Sequence, residues 1–273
     1  MSASLRGTRI AAAVECRKAL VQWQYRIVLI VCAAAPFAFV GTLAAQGTVP
    51  SDTLFGRLVY ESGLATPLVV LGFAALWGLP VVAAAAGGDM FASEDRHRTW
   101  PMVLTRSRSR AEVFDAKVIV AAGFMVCAVL LLGASATAAG VLVVGAQPLV
   151  NLSGTLLAPA DALARIALAW LSVLPPCLAI TAAALFASVA TRSSIAAVGI
   201  PVVVALLLQL VGLVDLPAPL RVAVPTTALE AWHGLLTDPA FVAPLAYGAA
   251  VNLGCAGVLI GLGRRIFLAR DIV

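Results

Sequence analysis

The sequence from Val118 to Ala160 reads VIVAAGFMVCAVLLLGASATAAGVLVVGAQPLVNLSGTLLAPA, a run of 43 residues without one charged side chain. A helix needs about 20 apolar residues to cross the roughly 30 Å of hydrocarbon in a bilayer, whereas a spanning strand needs only about 10. Working outward, five further uncharged runs are long enough for one helix each, and they cover residues 27–51, 62–88, 166–191, 193–214 and 239–263. The pattern predicts an all-α polytopic membrane protein.

The composition indicates that the bilayer is the solvent for most of this chain. Of its 273 residues, 62% are hydrophobic and 11% are charged, and the mean hydropathy is +1.03. Soluble domains carry about 25% charged residues, and no polar stretch here is long enough to fold as one. We therefore treat residues 1–273 as a single transmembrane domain. The five cysteines form no Cys-x-x-Cys pair, which argues against disulfides and metal ligation.

The number of spans depends on whether the 43-residue run holds one helix or two. Six spans and a cytoplasmic N-terminus leave only three of the 18 basic residues outside, Arg57, Arg165 and Arg221, as the positive-inside bias requires. A seventh span would move the basic tail, residues 264–270, to the outer face. We predict six spans, both termini inside, and an outer loop over residues 147–160. The spans cover about residues 27–47, 64–88, 118–146, 165–190, 194–214 and 240–262.

Two shorter segments are expected at the membrane surfaces. Residues 5–25 are basic and mildly amphipathic, which is typical of a helix that lies in the interface. The outer connection, residues 215–238, is broken by prolines. There Thr227 and Glu230 have the spacing of a capping box. This spacing predicts a short helix over residues 231–236, lying at or dipping into the outer leaflet.

Several kinds of chemistry are excluded by the residues that the chain lacks. Its only lysines, Lys18 and Lys117, follow no glycine-rich phosphate-binding turn, so if ATP drives this protein another chain binds it. His97 and His233 are predicted on opposite sides of the membrane, which excludes a shared metal site. No charged residue lies in the middle of a span, which argues against an ion-coupled transporter. The basic residues sit at helix ends and indicate no nucleic acid partner.

Polar and helix-breaking residues within the spans allow more than one interpretation. Thr137, Thr181, Gln209 and Asn252 are suited either to interhelical hydrogen bonds or, for the last three, to contact with a substrate. Prolines at 80, 175, 176 and 201 either kink spans two, four and five or are simply tolerated there. Gly257 and Gly261 form a small-residue face that could mediate dimerisation, although we expect it to pack within the subunit.

The first inner loop, residues 89–117, concentrates charge of both signs, and its first part reads DMFASEDRHRTWPMVLTRSRSR from Asp89 to Arg110. The other inner connection between spans, near residues 191–194, is only a turn. A membrane protein with one such loop is expected to offer it to a soluble partner. The alternative is a solvated loop that merely follows the charge bias.

This loop resembles the type-2 permeases of ABC transporters, the exporter class with six spans per subunit. In that family the second span ends in small residues and is followed by an acidic residue, a glutamate-to-threonine stretch, a leucine, a Ser-Arg step and a lysine opening the third span. The matching residues are Glu94, Thr99, Leu104, Ser109, Arg110 and Lys117. Glu15 with Lys18, the tail 264–271 and Pro225 with residues 228–236 are similar to the family's interfacial helix, ending and outer re-entrant segment.

The resemblance implies a half-transporter in the bacterial inner (plasma) membrane. Two permease subunits, identical or related, would surround a path for a lipophilic drug, antibiotic or lipid, each docked on an ATP-binding subunit. No cofactor is implied on this chain, because ATP and Mg would lie on that partner. The residues implied in ATPase coupling are Glu94, Arg96, Arg98, Thr99, Arg110 and Glu15.

The implied coupling roles differ in kind. Glu94, Arg96 and Arg98 would make charged contacts with the ATPase, and Thr99 would cap a coupling helix that Trp100-Pro101 ends or bends early. Replacing Glu94 by alanine is expected to uncouple ATP hydrolysis from transport without unfolding the protein.

Two other functions remain open at this point. One is a membrane scaffold or assembly factor, unrelated to ABC transporters, whose inner loop binds a different cytoplasmic protein. The other is a membrane-embedded enzyme that acts on a lipid or isoprenoid. Its catalytic groups would have to be His97 with Asp95, or His233 with Glu230, since no other polar pair is suited to it.

Overall fold

The computed structural model describes residues 2–47, 54–100, 109–212, 214, 217 and 224–270. The helices in this part of the chain are α1 (Ser2–Val21), α2 (Trp23–Gln46), α3 (Thr66–Phe73), α4 (Leu79–His97), α5 (Arg110–Val143), α6 (Pro159–Ser172), α7 (Leu174–Thr191), α8 (Ser194–Gly212) and α9 (Ala243–Ala269). Shorter elements are 3-10 helices at Gly56–Leu58, Gly63–Ala65, Pro225–Leu229 and Ala231–Leu236, a π-helix at Ala74–Gly78, and an antiparallel pair, β1 (Leu149–Val150) and β2 (Leu156–Leu157).

Six helical segments of the described chain are long and apolar enough to cross a membrane. They are α2, the continuous helical segment Gly63–His97, α5, the α6–α7 segment, α8 and α9. The prediction of an all-α chain with six helices long and apolar enough to span a membrane is therefore confirmed. The 43-residue run holds a single span, because α5 ends at Val143 and β1 and β2 form a small hairpin before α6 begins.

The charged loop is shorter than the sequence predicts. The helix of span two does not end at Gly88, since α4 continues to His97 and carries Glu94 and Arg96. Span three begins at Arg110, where Ser109 and Glu112 form a reciprocal capping box that satisfies two orphan N–H groups. Residues 89–97 and 110–117 are thus helical, while Pro101 and Leu104 lie outside the described residues.

Prolines interrupt two of the three spans in which they were noted. The π-helix Ala74–Gly78 lies directly before Pro80, and span four divides into α6 and α7 at Val173, just before Pro175 and Pro176. Pro201, in contrast, lies inside the uninterrupted helix α8. The helix is thus irregular near the prolines of spans two and four, whereas Pro201 is tolerated in span five.

Side chains from neighbouring spans bind the carbonyls that two prolines leave without an intrahelical donor. Pro80 has no N–H for the Leu76 carbonyl, and Gln209 Nε2 donates to that oxygen at 3.1 Å. Pro36 likewise frees the Cys32 carbonyl, to which the Ser135 hydroxyl donates at 2.7 Å. Because lipid offers no hydrogen bonds, these contacts both satisfy the backbone and join the spans. The interhelical interpretation of Gln209 is confirmed.

Glycines allow the closest helix crossings. A Cβ at Gly140 in α5 would lie 2.1 Å from the Gly63 carbonyl oxygen, and one at Gly87 in α4 would lie 2.5 Å from the Thr181 carbonyl oxygen. Small residues at such positions let backbones approach where lipid provides no hydrophobic driving force. The expectation for Gly257 and Gly261 is wrong, because an added Cβ at either would have no atom within 4 Å.

The outer segment is helical, but it is not capped as predicted. Thr227 lies inside the 3-10 helix Pro225–Leu229, where its hydroxyl donates to the Val224 carbonyl, so it does not begin the next helix. Glu230 precedes the 3-10 helix Ala231–Leu236 without a side-chain cap. Trp232 is 2% exposed and packs in the core near Phe55, which holds this segment against the spans.

The first prediction concerns the bond from Gln209 to the carbonyl freed by Pro80. Gln209→Leu should lower the free energy of unfolding by about 0.6–1.7 kcal/mol, the range for interhelical hydrogen bonds in membranes. In a Pro80→Ala background the helix supplies its own donor, and the same substitution should have a smaller effect. Thermal unfolding of the four proteins in mild detergent measures the coupling. Equal losses in both backgrounds would contradict this role.

Candidate functional site

Charged residues from four helices meet at one end of the bundle. This end, here called the basic end, is formed by α1, the last turns of α4, the first turns of α5 and the last turns of α9. Its central residues are Lys18, Glu94, Lys117, Asp95 and Arg270. Both terminal helices therefore lie at the same end as the charged segment between spans two and three.

Lys117 is the most deeply buried charge at the basic end. Its side chain is 1% exposed, and its ammonium lies 2.9 Å from Glu15 Oε2 and 3.3 Å from Glu94 Oε1. An unpaired buried ammonium would be strongly unfavourable, so two carboxylates from different helices compensate it. Lys117 thus joins α1 to α4 through α5.

Glu94 accepts hydrogen bonds from three surrounding elements. Besides Lys117, its carboxylate receives one from Lys18 of α1 and one from the Thr99 hydroxyl just beyond α4. Its side chain is 3% exposed, so it faces the protein interior. Because its carboxylate is buried and already bonded by Lys18, Thr99 and Lys117, the geometry does not favour the direct contact between Glu94 and an ATPase that the resemblance implies.

A second ion pair secures the C-terminal helix to the basic end. Arg270 Nη2 lies 2.5 Å from Asp95 Oδ1, and the Trp100 indole donates to the same oxygen at 2.9 Å. Arg110 donates to the Arg270 carbonyl at 2.6 Å. Arg110, which the resemblance placed in coupling, thus connects the start of α5 with the end of α9.

An aromatic cluster lies directly beneath these charges. Phe91 of α4, Trp100, Phe114 of α5 and Phe267 of α9 pack with ring centroids 5.1–6.3 Å apart. The Lys117 ammonium lies 5.7 Å from the Phe91 ring centroid, within the range of a cation–π contact. Close packing and paired charges together make the four helix ends one contiguous unit.

Three side chains at the end of α4 point away from this unit. Arg96, His97 and Arg98 are exposed, and Arg98 ends the helix in a left-handed conformation with φ of 54°. Arg96 makes only a distant pair, 3.9 Å from Asp89. Next to them an open groove of about 540 Å³ lies between α4 and the junction of α1 with α2. Among the residues named for coupling, Arg96 and Arg98 are the ones placed to meet another protein.

The three residues considered for a substrate path are not brought together. Thr181 donates to the Cys177 carbonyl of its own helix, and Gln209 is used by the Leu76 carbonyl. Asn252 donates to the carbonyls of Pro225 and Gly248 and is the only one of the three that lines a large cavity in the described chain. Thr137 also bonds within its own helix, to the Gly133 carbonyl.

The histidine pairs needed for a membrane-embedded enzyme are not formed. His97 Nδ1 contacts the Ser93 carbonyl, whereas Asp95 is engaged by Arg270 and Trp100. His233 contacts the backbone carbonyl of Glu230, not its carboxylate. Within the described residues no group of His, Cys, Asp and Glu is suited to hold a metal ion.

Sequence reasoning missed the burial of Lys117 and the pair between Asp95 and Arg270. Because charged residues usually mark the end of a span, the sequence predicts Lys117 at a span boundary rather than in the core. One signal was available, because the chain has 18 basic residues of which only Lys18 and Lys117 are lysines. Both lysines contact Glu94.

The second prediction corrects the expectation for Glu94→Ala. Removing one carboxylate leaves Lys117 buried with only Glu15, and loss of one partner from a buried pair costs about 3–5 kcal/mol. The variant should therefore be clearly less stable. Arg96→Ala, an exposed change on the same helix, should lie within about 0.5 kcal/mol of the wild type. Thermal unfolding in detergent compares the two, and equal stability would contradict the buried pair.

The comparisons with known proteins agree with this geometry. A model of the ABC-2 family transporter protein matches residues 22–209, more than half of the chain, including Glu94, Arg110 and Lys117. A comparison with curated proteins finds no match. The resemblance to type-2 ABC permeases is confirmed at the level of the family. The chain belongs to the ABC-2 family of transporter membrane proteins and is a transport subunit of that family, not an enzyme.

Proposed function

We propose that this chain is the membrane permease of an ATP-driven exporter and that the basic end couples it to a separate ATP-binding subunit. The observation that carries the proposal is the paired burial of Lys117, which links α1, α4 and α5 directly behind the exposed Arg96 and Arg98. A force applied to the exposed end of α4 would reach three helices at once.

The basic end is proposed to face the cytoplasm. Arg96, Arg98, Arg264 and Arg265 lie on the helix ends found there, while Arg57 lies near the opposite end of the spans. Basic residues are enriched in short cytoplasmic segments of membrane proteins. Both termini would then be cytoplasmic, where an ATPase and its ATP and Mg are available.

We assign the coupling residues to two roles. Arg96 and Arg98 would contact the ATPase, since both side chains are exposed. Glu94, Thr99, Glu15 and Arg110 would transmit the movement. Glu15 and Glu94 both pair with Lys117, Thr99 donates to Glu94, and Arg110 donates to the Arg270 carbonyl. The π-helix before Pro80 lies farther along the same segment and gives span two a place to bend.

The transport path is proposed to form with a second permease subunit, identical or related. In the most apolar 18-residue stretches of α8 and α9, only 17% of the residues are buried against the rest of this chain. Their exposed faces are rich in valine and leucine, which suits contact with lipid, with a second subunit or with a lipophilic cargo such as a drug, antibiotic or lipid. Such a cargo would move against walls that carry few hydrogen-bonding groups.

The third prediction tests the docking role of the exposed arginines. Arg96→Glu/Arg98→Glu should abolish co-purification of an ATP-binding subunit with the tagged protein, because reversed charge opposes the contact. The melting temperature should stay unchanged, since both side chains are exposed. Arg57→Glu, an exposed change away from the basic end, is the matched control and should retain the subunit. Pull-down in mild detergent, mass spectrometry and an ATPase assay provide the readouts.

Two results would contradict the proposal. Recovery of the ATPase with the double variant at the wild-type level would remove the docking role of this segment. A wild-type preparation without any ATPase, under conditions that preserve other ABC complexes, would favour a scaffold that binds a different cytoplasmic protein.

A further inference from the structure

A cavity of about 350 Å³ lies between α7, α8 and α9, beside the 3-10 helix Pro225–Leu229. Most of its described lining is aliphatic, with Ala183, Pro201 and Leu259 from the three helices. Its volume falls within the range of small-molecule sites. It extends from this 3-10 helix to Ala190 and Thr191 near the end of α7, and Asn252 in its lining precedes Arg264 by about 18 Å along α9 at 1.5 Å per residue.

Two polar atoms in the cavity wall lack a hydrogen-bond partner within the described chain. They are Asn252 Oδ1 and Thr226 Oγ1, and their residues are 1% and 5% exposed. The orientation of the Asn252 amide is fixed, since its nitrogen donates to Pro225 O at 3.0 Å and to Gly248 O at 2.8 Å. Asn252 lines the cavity, and its oxygen is an acceptor that nothing in the described protein uses.

Such atoms are unfavourable in this setting. A buried polar atom without a partner costs about 1–3 kcal/mol, and hydrocarbon chains cannot supply the missing bond. A packed span would avoid that cost with an alanine or a valine. The pairing of two unsatisfied polar atoms with an aliphatic chamber has the composition of a ligand site.

We propose that this cavity binds a neutral amphiphile with an apolar body and a hydroxyl or N–H donor at its head. The donor would bond Asn252 Oδ1, which can only accept, and Thr226 would either donate to or accept from the same head group. No charged residue is found in the described lining, which disfavours a carboxylate, phosphate or ammonium head. A fatty alcohol has the required chemistry.

Two sources can supply such a molecule, a resident membrane lipid and the transported cargo. Binding itself involves only this chain and does not depend on the ATPase. The assignment to cargo, in contrast, rests on the proposed function, because only a transport cycle would empty the site. The experiment therefore measures binding on the permease alone first, so that its failure is distinct from failure of the ATPase pull-down.

The binding experiment uses a C16 fatty alcohol with a mid-chain diazirine and its methyl ether, which lacks the donor. After photolysis of the detergent-purified protein, mass spectrometry of peptides from α7, α8 and α9 locates the label. The alcohol should label these peptides about five- to tenfold more than the ether, as expected for loss of one hydrogen bond of about 1–1.4 kcal/mol. Thr226→Val, which keeps the side-chain shape, should reduce labelling by the alcohol.

A cavity-filling variant separates this site from the lipid-facing surface. Ala183→Phe should remove labelling, whereas Ala250→Phe, at an exposed position on α9 outside the cavity, should leave it unchanged. Equal labelling by alcohol and ether, or labelling that survives Ala183→Phe in a protein with the wild-type melting temperature, would overturn the proposal.

The source of the bound molecule, lipid or cargo, is determined with the complex of the permease and its ATPase. Labelling lost after trapping with ATP and vanadate would identify the occupant as cargo, whereas unchanged labelling would identify a resident lipid. Both results retain the site.

Discussion

The ammonium group of Lys117 is the feature on which the basic end depends. It lies at 1% exposure among aromatic rings, where only carboxylates held close by can compensate its charge. Glu15 and Glu94 supply that compensation from two other helices, and Glu94 in turn brings Lys18 and Thr99 to the same place. The three helices α1, α4 and α5 are therefore fixed relative to one another around a single buried charge. The exposed arginines at the end of α4 are attached to this unit and not to a free loop.

The same requirement for satisfied polar groups organises the spans. Prolines free the carbonyls of Cys32 and Leu76, and side chains of other helices bind them. These bonds place polar groups where they join helices, so polarity inside the membrane here does not by itself indicate a substrate path. Asn252 differs because half of its amide is used by the backbone and half is left over. Asn252 also lines the cavity between α7, α8 and α9, so its unused oxygen is the atom on which the proposed binding site rests.

The sequence predicts the number of spans and the outer loop, but it does not predict the ends of the helices or the contacts of buried polar residues, and the reasons are physical. Uncharged runs predict six spans because lipid excludes charge, and residues 147–160 read as a loop because proline and polar residues suit one. The end of α4 was missed because a helix continues into water at little cost, so loss of hydrophobicity at Asp89 does not mark its end. The burial of Lys117 was missed because its carboxylates lie 102 and 23 residues away in sequence. The supposed cap at Thr227 failed because Pro225 begins the helix earlier.

We infer that α1 and the end of α4 move as one unit held by Lys117. The most direct measurement is the distance between spin labels at Cys16 of α1 and at an introduced His97→Cys, with the other exposed cysteine, Cys127, replaced. Pulsed electron resonance would compare the nucleotide-free complex with the vanadate-trapped one. A single unit should give one narrow distance distribution that is the same in both states and broadens in Glu94→Gln. A distance that changes between the two states in the wild type would contradict it.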